Sequence, residues 1–194
     1  NRADYERNIF QRMFQDIAPY DPDGILQYEW LNARGAIARF DRNAIEIRVV
    51  DIQETPEADL AIAYAISSVL QALISERWSS FHEQKKMDTG ILAELFRQTV
   101  RDAEKAPIRD EMYLRLLGME AGGIVTAGEL WDYILGHLPD GHPSFLIPLR
   151  TILREGSLSS RMFRRLNGDF RREALSSLYR ELCDCLEHGR MFIP

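Results

Sequence analysis

The sequence predicts an α+β fold in which a short strand-rich region precedes a long helical region. Residues 25–51 contain runs with the two-residue alternation of β-strands, whereas residues 56–188 carry apolar residues at helical spacing. Turn and capping residues separate these runs. The chain has 194 residues, of which 45% are hydrophobic and 28% are charged, as in soluble globular proteins. This length is sufficient to bury a core.

The first part of the chain is predicted to be one helix followed by three strands. Apolar residues recur at helical spacing over Ala3–Ile17, and Pro19 ends the pattern. The tetrapeptide that begins at Asp21 has the composition of a turn. The predicted strands are Ile25–Leu31, Gly35–Phe40 and Ala44–Asp51, with a hairpin loop over residues 40–43 between the last two.

The remainder of the chain is predicted to be helical. Thr55 is a suitable N-cap, and Pro56 suits the first helical position, so a helix should run from there to about Trp78. Further helices are predicted at Ile91–Glu104, Arg109–Leu117, Glu129–Leu138, Phe145–Leu153, Ser159–Leu166 and Arg171–His188. We therefore divide the chain into residues 1–55, which carry the helix and the antiparallel strands, and residues 56–194, a helical region packed on the sheet.

Charge and composition argue against nucleic acid as a partner. The chain has 24 basic and 30 acidic residues, a net charge of −6, so a broad basic surface for nucleic acid is not expected. All but three of the basic residues are arginine, which suits anionic small substrates. A lysine-poor genome would give the same bias, and both interpretations stay open at this stage.

Cysteine usage and hydropathy indicate a cytoplasmic protein. The two cysteines, Cys183 and Cys185, lie two residues apart in a predicted helix, so they face opposite sides and cannot form a disulfide. The longest apolar stretch, Leu60–Ile74, is shorter than the roughly 20 residues that a membrane span needs. We interpret it as a buried helix and expect no membrane association.

The predicted strand Ala44–Asp51 carries the candidate catalytic and metal-binding residues. Alternation places Ile45 and Ile47 on one face, which we expect to be core, and Glu46 and Arg48 on the other, with origins about 7 Å apart. An ion pair on a solvated face is the simple alternative. Arginines and acids are dense around this strand: Arg34, Arg39, Arg42, Arg48, Glu29, Asp41, Glu46 and Asp51. A carboxylate beside an arginine suits a magnesium–nucleotide site, because the carboxylate binds the hard cation and the arginine neutralises phosphate oxygens.

Two segments resemble the type 2 glutamate–cysteine ligase family of carboxylate–amine ligases. The first runs from Ala33 to Asp51, and its most specific part is Ile45-Glu46-Ile47-Arg48 followed by Asp51. The second is the C-terminal stretch from Tyr179 to Arg190. The resemblance implies the C-terminal half of such a ligase, with part of a curved antiparallel sheet of the glutamine synthetase type.

The resemblance also implies a reaction and roles for four residues. Such enzymes use ATP and Mg²⁺ or Mn²⁺ to phosphorylate the carboxylate of glutamate or a related acid, and an amine then displaces the phosphate. Glu46 corresponds to a magnesium ligand and Arg48 to a catalytic contact with the transferring phosphate or the substrate carboxylate. Arg34 and Arg39 correspond to substrate- or nucleotide-binding residues. We expect Glu46 and Arg48 on the same face of a central or near-central strand, facing a concavity.

Three strands do not satisfy both edges of a sheet, so we expect further strands in an N-terminal half of the natural protein. The isolated chain should then be inactive and should form a homodimer or larger assembly. A small self-contained α+β domain is the alternative explanation for the short sheet. Two other functions stay open: a non-catalytic binding or assembly module that keeps the ligase sheet, and a structural helical domain in which Glu46 and Arg48 only pair with each other.

Overall fold

The computed structural model describes residues 1–120, 122–138 and 143–194, apart from the side chains of Glu29 and Pro143. Those residues form ten α-helices and two small antiparallel sheets, so the predicted α+β class is confirmed. The chain divides into two compact units, Asn1–Ile52 and Gln53–Pro194. Each unit is described by itself below.

The first unit begins with the predicted amphipathic helix, which the structure divides into three segments. Helix α1 (Arg2–Tyr5) continues through a π-helical turn (Glu6–Phe10) into α2 (Gln11–Ile17). The Asn1 side chain accepts a hydrogen bond from the Asp4 N–H, which caps the helix at its start. Phe10 is the buried residue of these segments, and its ring meets those of Tyr5 and Tyr28 edge-on at 5.2 and 5.3 Å.

The predicted strand Ile25–Leu31 is wrong. The segment has no strand and contains a 3₁₀ turn at Tyr28–Trp30. The carboxylate of Asp21 accepts hydrogen bonds from the N–H groups of Ile25 at 3.0 Å and Leu26 at 2.7 Å. Such side-chain acceptors occupy backbone donors that a strand would need for its ladder, so the local turn displaces the strand.

The other two predicted strands form one hairpin, β1 (Ala36–Arg39) and β2 (Ala44–Ile47). They are antiparallel, and Ile37 lies opposite Glu46. Asn43 supplies a positive φ of 50° in the loop. Within the described residues β2 pairs with β1 only, so the expected central or near-central position is not seen in this hairpin.

The buried face of the hairpin is the charged one, which corrects the expectation that Ile45 and Ile47 face a core. Ile45 is 62% exposed and Ile47 38% exposed. On the other face Ile37 and Arg39 are buried, and Glu46 is half-buried. Alternation distinguishes the two faces of a strand but does not say which face is covered. Covering the charged face is possible here because its charges are paired with one another.

The second unit contains eight helices and one two-stranded sheet among its described residues. Helices α3–α10 span Pro56–Ile74, Phe81–Gln84, Thr89–Asp102, Glu111–Leu116, Ala127–His137, Pro143–Glu155, Leu158–Leu166 and Arg172–His188. Strands β3 (Pro107–Ile108) and β4 (Val125–Thr126) pair antiparallel. The Thr55 hydroxyl accepts the Ala58 N–H, so α3 begins where the sequence predicts, and it ends four residues before Trp78.

The main core of the second unit lies between α5, α6, α7 and the β3–β4 pair. Its buried members are Leu95, Ala106, Ile108, Leu114, Leu117, Ala127, Leu130, Ile134 and Leu138. A second cluster joins α9, α10 and the C-terminal segment through Leu166, Leu178, Cys185 and Phe192. Cys185 is buried and Cys183 exposed, and both are free thiols.

Helix α3 packs through a stripe of alanines, which revises the expectation of a buried helix. Ala61 and Ala65 contact Leu149 of α8 in a small core of their own. Only 22% of an 18-residue window of α3 is buried, and Leu60 and Ile74 are exposed. By length and composition alone α3 could cross a membrane, which is weak evidence because core helices of soluble proteins meet the same criterion.

Candidate functional site

Arg39 is the centre of a cluster of paired charges on the buried face of the hairpin. It is 8% exposed, although it is a charged residue on a short strand. Its guanidinium donates two parallel hydrogen bonds to the Asp41 carboxylate, both at 3.0 Å, and a third to Glu46 Oε2 at 2.5 Å. This forked geometry requires arginine, because lysine places all its donors on one nitrogen.

Glu46 lies between two arginines. Its Oε2 accepts from Arg39, and its Oε1 accepts from Arg48 Nε at 2.7 Å. The pKa of the Glu46 carboxyl lies below its ordinary value, mainly because of the hydrogen bond from Arg39 and secondly because of the one from Arg48. Glu46 is therefore ionised at neutral pH, as both ion pairing and metal binding require.

Arg48 connects the strand to the corner that precedes the hairpin. Its Nη1 donates to the main-chain oxygen of Asn32 at 2.8 Å. Asn32 is 1% exposed, and its Nδ2 donates to the Tyr5 hydroxyl at 3.0 Å. Its Oδ1 has no hydrogen-bond donor among the residues that the structure describes. The sequence analysis missed Asn32 and Tyr5, because no pattern distinguishes a buried asparagine from one in a surface turn.

The structure brings together three of the four predicted site residues. Arg39, Glu46 and Arg48 form one hydrogen-bonded network with Asp41 and the Asn32 main chain. Arg34 is exposed and makes no hydrogen bond or ion pair with the described side chains. Its predicted role in binding stays a prediction.

The cluster can supply carboxylate oxygen to a hard cation. A carboxylate has about four acceptor positions, and the two arginines occupy one on each Glu46 oxygen. Mg²⁺ commonly uses one or two carboxylates together with substrate phosphates, so Glu46 fits as one such ligand. Among the described residues Asp41 is the other carboxylate of this cluster, and Arg39 likewise occupies one acceptor position on each of its oxygens.

One further group of potential metal ligands lies near the end of α10. Asp184, Glu187 and His188 place ligand atoms within 4.8 Å of one another. They are partly or fully exposed, and Arg190 already pairs with Asp184. Of the other histidines, His82 and His137 are exposed, and His142 lies outside the described residues.

Comparison with known proteins gives a family match over most of the chain. The model of glutamate–cysteine ligase family 2 matches residues 6–181. An uncharacterized protein of Archaeoglobus fulgidus is 25% identical over 169 residues, which cover 87% of this chain. The aligned region spans 39% of that relative's length. No solved structure matches the chain.

The matched range contains the whole charge cluster of the hairpin and most of the helical unit. The resemblance inferred from Ala33–Asp51 is therefore confirmed, and the match extends well beyond that segment. Of the second segment, Tyr179–Arg190, it covers the first three residues. The chain belongs to glutamate–cysteine ligase family 2.

Proposed function

We propose that this chain is the C-terminal part of an ATP-dependent carboxylate–amine ligase. The proposed reaction forms an acyl phosphate on glutamate or a related acid, and an amine then displaces the phosphate. The observation that carries the proposal is the ionised Glu46 held between Arg39 and Arg48 on a half-covered sheet face. Membership of a ligase family gives this arrangement its chemical context.

Glu46 is proposed as a ligand of Mg²⁺ or Mn²⁺ that accompanies ATP. Its lowered pKa keeps the carboxylate anionic through the neutral range, which favours a hard dication. The bound metal would supply neutralisation of phosphate charge. The neighbouring guanidinium groups repel a free cation, so we expect Glu46 to bind the metal only together with nucleotide phosphates.

Arg48 is proposed as the group that stabilises charge on the transferring phosphate or the substrate carboxylate. It is 28% exposed in its side chain, and its Nε and Nη1 donate to Glu46 and Asn32. These contacts fix the direction of the guanidinium before substrate arrives, and such preorganised donors are effective at developing charge. Arg39 is the more buried of the two and orients Glu46, while the exposed Arg34 is proposed to contact substrate or nucleotide.

The activity of the whole protein is part of the proposal. The aligned region spans 39% of the curated relative. The carboxylates of Glu46 and Asp41, those of this cluster among the described residues, are both engaged by arginines. We propose that further acidic ligands come from strands outside these 194 residues and that the isolated chain is inactive. The protein is proposed to be cytoplasmic.

The test is phosphate release from ATP with glutamate and a panel of amines, on full-length protein and on this chain. Arg48→Lys should reduce the rate about a hundredfold or more, because lysine keeps the charge and loses the fork. Glu46→Gln should weaken magnesium-dependent nucleotide binding, because a neutral amide replaces an anionic ligand. The isolated chain should show neither phosphate release nor tight binding of magnesium–ATP.

Matched controls come from a similar cluster in the helical unit. Glu155 also pairs with two arginines, Arg154 at 2.8 Å and Arg164 at 3.5 Å. Glu155→Gln and Arg154→Lys should leave phosphate release unchanged. If Glu46→Gln and Arg48→Lys together turned over ATP as fast as the parent protein, the cluster would be structural and the proposal would be wrong.

A second candidate is a non-catalytic binding or assembly module. It is favoured by one observation, the engagement of both Glu46 oxygens by guanidinium groups. In a module these ion pairs would only hold the hairpin together. Full-length protein that binds magnesium–ATP but releases no phosphate with any amine would support this alternative.

A further inference from the structure

Asn32 connects Arg48 to the N-terminal helix of the same unit. The Asn32 main-chain oxygen accepts from Arg48 Nη1 at 2.8 Å, and its side-chain Nδ2 donates to the Tyr5 hydroxyl at 3.0 Å. Its main-chain N–H donates to the Tyr28 oxygen at 3.2 Å. These hydrogen bonds join one residue to the hairpin, to the helix and to the 3₁₀ turn. The position of the oxygen that receives Arg48 therefore depends on the contacts with Tyr5 and Tyr28.

Aromatic packing holds the Tyr5 hydroxyl in place. The Tyr5 ring meets Phe10 edge-on at 5.2 Å and Phe40, in the hairpin loop, at 5.4 Å. Phe10 also meets Tyr28 edge-on at 5.3 Å. Edge-on aromatic pairs stabilise a fold beyond the area that they bury. The Phe10 ring thus supports both residues on which Asn32 depends.

The π turn that follows Tyr5 makes its contact with Phe10 possible. The Gln11 N–H donates to the Glu6 oxygen, five residues earlier. In an α-helix, residues five apart lie about 140° apart around the axis, at about 100° per residue. The wider π turn brings Tyr5 and Phe10 closer to one face, and such turns occur frequently at functional sites.

The polar character of the contact between Tyr5 and Asn32 indicates a role beyond packing. Asn32 is buried, and a buried amide needs hydrogen-bond partners to offset its loss of water. Two apolar side chains could join the helix to this corner without that requirement, and such replacements are often neutral or stabilising. A hydrogen bond instead sets a distance and a direction. That control is useful where the next contact in the network is the guanidinium of Arg48.

We propose that Tyr5 and Asn32 are positioning residues for Arg48. The Tyr5 hydroxyl holds the Asn32 amide, and the Asn32 main-chain oxygen holds Nη1 of Arg48. Glu46 holds Nε of the same guanidinium at 2.7 Å. Acceptors on two different nitrogens fix the plane of an arginine. The inference rests on the proposed role of Arg48 in phosphoryl transfer, but the orientation of Arg48 can be measured without turnover.

The kinetic experiment measures phosphate release by full-length protein carrying Tyr5→Phe, which removes the hydroxyl and keeps the ring. We expect kcat to fall about two- to tenfold, the net contribution of one neutral hydrogen bond. KM for ATP should stay unchanged, because Arg48 is proposed to act in the transition state. In the Arg48→Lys background the same substitution should lower kcat no further.

Tyr133→Phe is the matched control for this experiment. The Tyr133 hydroxyl also donates a hydrogen bond to a main-chain oxygen, that of Gly118, but it lies in the helical unit. Its removal should therefore leave kcat unchanged.

The spectroscopic experiment follows Arg48 directly in full-length protein labelled with ¹⁵N-arginine. The Nε–H resonance of Arg48 is assigned by its absence in Arg48→Lys. Tyr5→Phe and Asn32→Ala should each speed exchange of this proton with water about two- to tenfold, because one hydrogen bond of the network is lost. Tyr133→Phe should not change the exchange rate.

The two measurements separate this inference from the proposed function. If Arg48→Lys leaves phosphate release unchanged while Tyr5→Phe speeds exchange, the orienting contacts stand and the proposed function fails. An unchanged exchange rate in Tyr5→Phe overturns the positioning role, and so does an equal loss of kcat in the wild-type and Arg48→Lys backgrounds. Faster exchange without loss of kcat, where Arg48→Lys does slow phosphate release, overturns it as well.

Discussion

Replacing Arg161 by methionine should be the most destabilising single change considered for this chain. Arg161 is 0% exposed and binds three parts of the helical unit. Its Nε donates to the Gly156 oxygen at 3.1 Å, and its Nη1 donates to Glu54 and to the Phe192 oxygen. Glu54 in turn accepts the Phe192 N–H at 3.1 Å. One side chain thus holds residues that are 107 and 31 positions away.

The expected cost follows from what the substitution leaves behind. Glu54 is 4% exposed, and without Arg161 its carboxylate keeps, among the described residues, only the hydrogen bond from the Phe192 N–H. Removing one member of a buried ion pair costs about 3–5 kcal/mol. The loss of donors to two carbonyl oxygens adds to this, although water entering the site offsets part of it. For a chain of this size the corresponding fall in Tm is roughly 6–20 °C.

The assay is urea denaturation followed by circular dichroism, with Arg164→Met as the matched control. Arg164 lies one turn further along α9, is 48% exposed in its side chain and pairs with Glu155. Exposed pairs of this kind contribute less than about 1 kcal/mol. The double variant Glu54→Gln/Arg161→Met should cost less than the sum of its single variants, because the two side chains interact directly. If Arg161→Met were no more destabilising than Arg164→Met, the buried hydrogen bonds of Arg161 would not contribute to the free energy of unfolding as their burial implies.

Two further predictions concern pH and a glycine. The stability that Glu46 contributes should be fully present above its ordinary pKa of 4.5 and be lost as the pH falls through its lowered folded-state pKa. The free energies of unfolding of the wild type and Glu46→Gln, measured by urea denaturation, should therefore converge as the pH falls. A difference between them that persists at pH 2 would contradict a stabilising role for the Glu46 ion pairs. Gly118→Ala should destabilise the chain by about 1 kcal/mol or more, because Gly118 has a φ of 79° and a Cβ there would lie 2.7 Å from Trp78 Cδ1. Gly136→Ala in α7 is the control and should be neutral or stabilising, because a Cβ added at Gly136 would meet no atom within 4 Å. Both variants are compared with the wild type in thermal melts, and equal changes in Tm would refute the contact with Trp78.

The helices could be predicted from the sequence because their signals are local. Thr55 and Pro56 mark the start of α3, and Thr126 with Glu129 forms a capping box at the start of α7. In each case the capping atoms lie within three residues of each other, so the pattern contains the whole interaction. The short helix α4 was missed, although Ser80 and Glu83 form the same kind of box.

The strands and the site could be predicted only in part, because their environment is not local. Alternation correctly placed Glu46 and Arg48 on one side of the chain, and the structure joins them by a hydrogen bond. It could not show that this side is the covered one, nor that Asn32 supplies an acceptor to Arg48 from 16 residues away. Nor could it show that Asp21 would take up the backbone donors of the predicted strand Ile25–Leu31.

The structure also bears on why arginine replaces lysine so consistently in this chain. A composition bias alone would place arginines mainly on exposed helix faces, where lysine serves equally well. Arg39 and Arg161 are instead buried, and each donates to two or more separate acceptors through different nitrogens. A lysine has one nitrogen and could not reach acceptors on opposite sides of a planar fork. At these two positions the arginine is therefore required by the packing, and in the hairpin the same requirement fixes the carboxylate on which the proposed chemistry depends.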